Sequence, residues 1–81
     1  MSLRVPNLKA LRMFDAAARH LNFRRAADEL KLTQGAVAQQ VRQLESNLGA
    51  SLFVRLPRGL ALTETGAGYF KDINRALTII D

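Results

Sequence analysis

The residues that invite a chemical reading lie between Thr33 and Gly49, in the run TQGAVAQQVRQLESNLG. Gln34 and Gln39 each carry an amide carbonyl and an amide NH2, so each both accepts and donates hydrogen bonds. Arg42 adds a permanent cation with a planar fork of donors. Thr33 supplies a hydroxyl at the start of the run, while Gly35 and Ala38 keep the ground near the amides low. On a helix, Gly35, Gln39, Arg42 and Ser46 share one side, with Ala38 on its flank, and no acid falls there. A solvated helix face usually mixes Glu with Lys in pairs. This face suits an anionic, hydrogen-bonding surface instead.

The rest of the chain must hold that face in place. Val37, Val41, Leu44 and Leu48 recur at i, i+4, i+7 and i+11, which makes them the core stripe of the same helix. Thr33 can cap it and Gly49 can end it. Upstream, Pro6 disfavours helix at Val5, and Asn7 caps a first helix from Leu8 to about Arg19. Ala10, Leu11, Phe14, Ala17, Ala18 and Leu21 gather on its core side, and His20 falls where it can bond terminal carbonyls. Asn22 caps a short second helix with Phe23, Ala26, Ala27 and Leu30 as its stripe, and Arg24 and Arg25 point away from it. Only Lys31 and Leu32 separate it from Thr33. Two helices joined so tightly match the helix-turn-helix pattern, with Leu32 and Val37 plugging the angle.

Downstream, Leu52 to Leu56 reads as a strand, Pro57-Arg58-Gly59 as a turn, and Leu60 to Leu62 as a second strand. So small a hairpin needs the helices behind it. Thr63 and Glu64 restart a helix, in which Gly66 and Gly68 point to close packing against the body. Phe70, Ile73, Leu77 and Ile80 then space as an a/d seam suited to dimerisation, with packing on the chain's own body as the alternative. The helix is still running at residue 81, as in a piece of a longer protein.

Bulk composition sets the outer bounds. Eighty-one residues, 48% of them hydrophobic, make one small domain. Formal charge is +5; residues 1–30 and 31–63 carry +3 each and residues 64–81 carry −1. A basic body points to a polyanion partner. There is no cysteine, which excludes disulfides and thiolate metal sites. No apolar run approaches the roughly 20 residues that span a bilayer, and MSLRVPNLK lacks the apolar core of a signal peptide. The expected setting is therefore the cytoplasm, without membrane contact. One histidine and no carboxylate pair in a plausible cleft leave little for an enzyme, and no cofactor is expected.

Leu11, Phe14, Phe23, the Ala26-Ala27 pair with Leu30, Thr33-Gln34, Leu44-Glu45, Leu48-Gly49, Leu52-Phe53, Arg55, Leu62-Thr63 and Gly66 together resemble the N-terminal DNA-binding domain of LysR-type transcriptional regulators. AAARHLNF and TQGAVA are similar to the branch containing glycine-cleavage and β-lactamase regulators. The resemblance implies a mainly α fold, a winged helix-turn-helix with a three-helix core and a short two-stranded wing. It would span residues 1–63, with a linker and dimerisation helix over 64–81. It also implies a homodimer on two partly palindromic half-sites of double-stranded DNA, and a small-molecule effector bound only by a C-terminal domain outside this chain. Gly35, Ala38 and Gln39 depart from the Pro, Ser and Arg frequent in the family, so a relative's operator cannot be copied.

On this reading the third helix enters the major groove. Thr33 and the first-turn N–H groups meet a phosphate. Gln34 and Gln39 each suit adenine N6 and N7, Gly35 permits close approach, Ala38 meets a thymine methyl, and Arg42 meets a phosphate or guanine. By family similarity Arg58 enters the minor groove from the wing. Arg24, Arg25 and Arg55 are backbone candidates, with Arg55 equally suited to bracing the wing through Glu45. The competing reading is a winged-helix module for protein contact, against which the acid-free face stands.

Overall fold

A computed structural model describes residues 7–80, with side chains as far as residue 78. Pro6 and the side chain of Ile80 lie outside the described residues. Four helices and one hairpin follow in the order α1 (Leu8–His20), α2 (Phe23–Leu30), α3 (Gln34–Leu48), β1 (Phe53–Arg55), β2 (Leu60–Leu62) and α4 (Glu64–Ile80).

Side-chain caps place the first three helices. Asn7 Oδ1 accepts from the Ala10 N–H at 2.7 Å, Asn22 Oδ1 from Arg25 at 2.9 Å, and Thr33 Oγ1 from Ala36 at 3.1 Å. Each satisfies an amide that has no partner inside its helix. The three helices close on left-handed residues: Leu21, Lys31 and Gly49. Leu21, expected in the first helix's core face, is thus its C-cap and is exposed. Two of the three stops use a side chain at positive φ, at a strain cost that glycine avoids. Sharp reversals there let α1, α2 and α3 wrap one core.

That core is built from small residues and rings. Ala16, Ala17, Ala26 and Ala27 bring α1 and α2 close together. Phe14 is fully buried and touches three rings, Phe53, Tyr69 and Phe70, at centroid distances of 5.5, 5.3 and 6.3 Å. Val37 is fully buried and Leu32 half-buried, as the angle between α2 and α3 requires. Full burial of such side chains stabilises by about 1.5–3 kcal/mol each.

The hairpin is antiparallel, with Phe53 opposite Leu62 and Arg55 opposite Leu60. It is shorter than the five-residue first strand expected, because the chain turns away beyond Arg55 and the Leu56 N–H donates to the Gly59 carbonyl at 3.1 Å. Two anchors tie it down. The Leu60 N–H donates to the Leu21 carbonyl at 2.9 Å, and Glu45 of α3 accepts from the Leu52 and Phe53 N–H groups at 2.7 and 3.3 Å.

Thr63 joins the wing to α4. Its hydroxyl donates to the Ser51 carbonyl at 2.7 Å and accepts from the Gly66 N–H at 2.9 Å. A Cβ on Gly66 would lie 2.0 Å from the Leu52 carbonyl oxygen, which no side chain tolerates. Gly68 has open space around it, so the close packing expected of both glycines belongs to Gly66 alone.

The α4 seam differs from expectation. Leu77 is only 5% exposed, and Phe70 and Ile73 pack against the core. Asn74 Nδ2 donates to Asp15 of α1 at 3.0 Å. An amphipathic helix beside an unfilled core buries part of its stripe within its own chain, so Leu77 is taken up there while Phe70 and Ile73 stay half-buried.

Candidate nucleic-acid interface

Helix α3 turns Val37, Ala38, Val41 and Leu44 inward. Gly35, Gln39 and Arg42 are exposed on the opposite side, with Ser46 continuing the face, and Gln34 is exposed at the first position of the helix. Thr33, also exposed, caps their helix with its hydroxyl. Two expectations need correction. Ala38 is 7% exposed and belongs to the core, because it follows Val37 around the inward arc, so its methyl is withdrawn from the reading face. Leu48 is exposed, because α3 outruns the body that covers its middle. Gln43 donates to Asn47 at 3.3 Å along the helix flank, as a solvated side chain would.

The wing stands beside this face. Arg58 is exposed at its turn, next to Gly59 at φ +87°. A Cβ on Gly59 would lie 2.7 Å from the Leu21 carbonyl oxygen, so the turn sits against the corner between α1 and α2. An open cleft of about 320 Å³ runs between wing and helices, lined by Asn22, Arg24, Gln34 and Arg55 among others. Arg24 and Arg25 are both exposed, and of the two only Arg24 borders this cleft.

Arg55 does not brace the wing through Glu45. Glu45 Oε2 accepts from the Leu52 and Phe53 N–H groups, and the Arg55 guanidinium lies over the Phe23 ring, 5.2 Å from its centroid. A carboxylate forced beside buried amide donors satisfies them before it reaches for an exposed cation.

A polar network joins α1, α2 and α4. Arg19 donates through Nε to Asp15 at 2.8 Å and through its two terminal nitrogens to Glu29 at 2.9 and 2.6 Å. His20 Nε2 lies 2.7 Å from Glu29, so it ties α1 to α2 rather than bonding helix-end carbonyls. The Arg19 hydrogen bonds, followed by that of His20, hold the Glu29 carboxyl down at about 2. Hydrogen bonding to Glu29, followed by that to Asp15, raises Arg19 above the usual arginine range. Asp15, buried among these donors, links the network to Asn74 of α4. Only the Asp15–Arg19 spacing of i, i+4 is a local signal; the partners from α2 and α4 come together through the fold.

Among the described residues no group of His, Asp or Glu side chains has the arrangement of a metal site, and no helix is long and apolar enough to cross a membrane. The described residues form a helix-turn-helix with an exposed amide and arginine face, flanked by a basic hairpin. The sequence profile of the bacterial regulatory helix-turn-helix proteins of the lysR family matches residues 8–67. The chain belongs to the LysR family. Its 73 residues aligned to the glycine cleavage system transcriptional activator of Escherichia coli (strain K12) are 60% identical, covering 90% of this chain and 24% of that protein. The carbapenem-hydrolyzing beta-lactamase transcriptional activator of Serratia marcescens is 54% identical over 80 residues, 99% of this chain and 27% of the relative. Both are of the kind that AAARHLNF and TQGAVA resemble. This LysR-family chain thus spans about a quarter of the length of these relatives.

The fold agrees with that placement. The crystal structure of BenM_DBD in complex with catB site 1 DNA superposes with a TM-score of 0.89 at 31% identity, over 93% of this chain and 84% of the other. The LysR-family winged helix-turn-helix is therefore the architecture of this chain.

Proposed function

We propose that this chain is the DNA-binding part of a cytoplasmic LysR-type transcriptional regulator and binds double-stranded DNA in a sequence-selective way, without catalysis or cofactor. The observation that carries this reading is the acid-free exposed face of α3 with Gly35, Gln39 and Arg42, next to an exposed Gln34 at the helix start that borders the wing cleft. Amide side chains that donate and accept at once match adenine N6 and N7 in the major groove, and the arginine matches guanine or phosphate. Thr33 and the first-turn amides receive a phosphate, and Arg58 enters the adjacent minor groove. A structural neighbour of the same fold crystallised in complex with DNA supports the DNA-binding reading.

In this reading residues 1–63 hold the duplex and residues 64–81 form the dimer arm. Because Leu77 is consumed inside the chain, homodimer contact falls to the half-buried Phe70 and Ile73 and to the exposed side of α4 carrying Lys71, Asp72 and Arg75. Two chains then occupy two partly palindromic half-sites, and any small-molecule effector binds outside these 81 residues.

Selection of binding sites from random duplexes tests the proposal. It should return a recurrent half-site, and affinity for that site should fall steeply with salt, each neutralised phosphate adding about 0.9 to the log–log slope. No enriched sequence, or affinity indifferent to salt, would refute it.

A further inference from the structure

Arg55 occupies an unusual position for an exposed cation. It borders both the cleft beside Gln34 and the depression beside Arg42, and so stands between the two ends of the proposed reading face. Among the described residues it forms no ion pair. Glu45, which lines the same depression, accepts from the Leu52 and Phe53 amides. What holds the guanidinium is a ring: Arg55 Cζ lies 5.2 Å from the centroid of Phe23.

The ring itself is fixed. Phe23 is 7% exposed at the first position of α2, directly after the Asn22 cap, and meets Phe53 nearly edge-on at 5.9 Å. Backbone pairing of Arg55 with Leu60 holds the other end of the side chain. A long cation anchored at its Cα by a strand and at its head by an aromatic face has lost much of its freedom already. Its donors still need an acceptor, because a ring face attracts the cation without accepting a conventional hydrogen bond from each of its N–H groups.

We propose that Phe23 is a positioning residue for DNA binding: its ring presets the Arg55 guanidinium, edge outward, as a fixed contact for a phosphate of the duplex backbone. The role rests on the DNA-binding reading above and adds to it a residue that never touches DNA. Presetting spares the ordering of a flexible side chain at the moment of binding. Phe53 packs against the same ring.

The test is a double-mutant cycle on duplex binding by the 81-residue chain, using Phe23→Leu, Phe23→Tyr and Arg55→Ala. Phe23→Leu keeps apolar bulk and removes the π face. It should weaken binding about two- to sixfold with Arg55 present and have no effect in the Arg55→Ala background, while Phe23→Tyr retains wild-type affinity. Arg55→Ala should lower the salt slope by about 0.9. In the free chain, the Arg55 Hε proton should lose its ring-current shift in Phe23→Leu and keep it in Phe23→Tyr. Equal losses from Phe23→Leu in both backgrounds, or a Hε shift indifferent to the ring, would overturn the role of Phe23 while leaving DNA binding standing. A wild-type chain that binds no duplex would overturn both.

Discussion

Gly66 and Gly68 stand two residues apart in the first turns of α4, and the same substitution at each should have opposite effects. At Gly66 an added Cβ would lie 2.0 Å from the Leu52 carbonyl oxygen and 2.9 Å from its carbonyl carbon. Ordinary contact needs well over 3 Å, so backbone must move by about 1 Å. The obstacle cannot yield easily. The Leu52 carbonyl accepts from the Thr63 N–H at 3.0 Å, and the Leu52 N–H is held by Glu45 at 2.7 Å. Overpacking of this kind costs about 1–3 kcal/mol or more, against which helix propensity returns at most about 1 kcal/mol. Gly66→Ala should therefore destabilise by about 2 kcal/mol. At Gly68 nothing lies within 4 Å, and its φ is not positive. Gly68→Ala should stabilise by about 0.5–1 kcal/mol through propensity alone. For a domain of this size 1 kcal/mol moves the melting temperature by roughly 4–8 °C. Urea unfolding followed by circular dichroism, with thermal melts alongside, resolves both shifts. Melting temperatures that move in the same direction would refute the claim that α4 is seated on the Leu52 carbonyl.

Three further outcomes are expected. Because Arg19 and His20 hold the Glu29 carboxyl down at about 2, well below its ordinary 4.5, Glu29 stabilises the fold above about pH 4.5 and loses that contribution as pH falls toward 2. Wild type should thus exceed Glu29→Gln by about 0.5–1 kcal/mol at pH 7, a small figure because the pair is exposed to water and screened; a difference that persists at pH 2 contradicts this. Replacing Gln39 with Ala should cost about 1–3 kcal/mol at one base pair and relax selectivity there, whereas a uniform loss across all duplexes would argue against base readout. Leu77→Lys should lower stability by about 2–4 kcal/mol in dilute chain, since its site is in the core of one protomer, and unchanged denaturation midpoints would return that residue to the dimer seam.

Local chemistry made much of this legible in the sequence. Asn7, Asn22, Thr33 and Gly49 mark helix ends because each satisfies backbone groups within three or four residues of itself. The stripes Phe23-Ala26-Ala27 and Val37-Val41-Leu44 fall inward because helical period and hydrophobic burial are one-dimensional facts. They also leave Gln34, Gln39 and Arg42 outside, so the kind of surface the chain presents could be read before any fold was known.

What tertiary structure decided were the choices between partners of equal chemistry. Glu45 could have met Arg55 or the β1 amides, and only the approach of the wing to α3 settles it for the amides. That choice freed Arg55 to lie on Phe23, thirty-two positions earlier in the chain. Ala38 lay at the border of the reading face, and the depth of the α1–α2 pair against α3 drew it inward. Leu77 could have faced a second chain or its own, and the vacancy beside α1 took it. Periodicity says which residues must leave water; it cannot say against what, because that depends on distances between elements that no local pattern encodes.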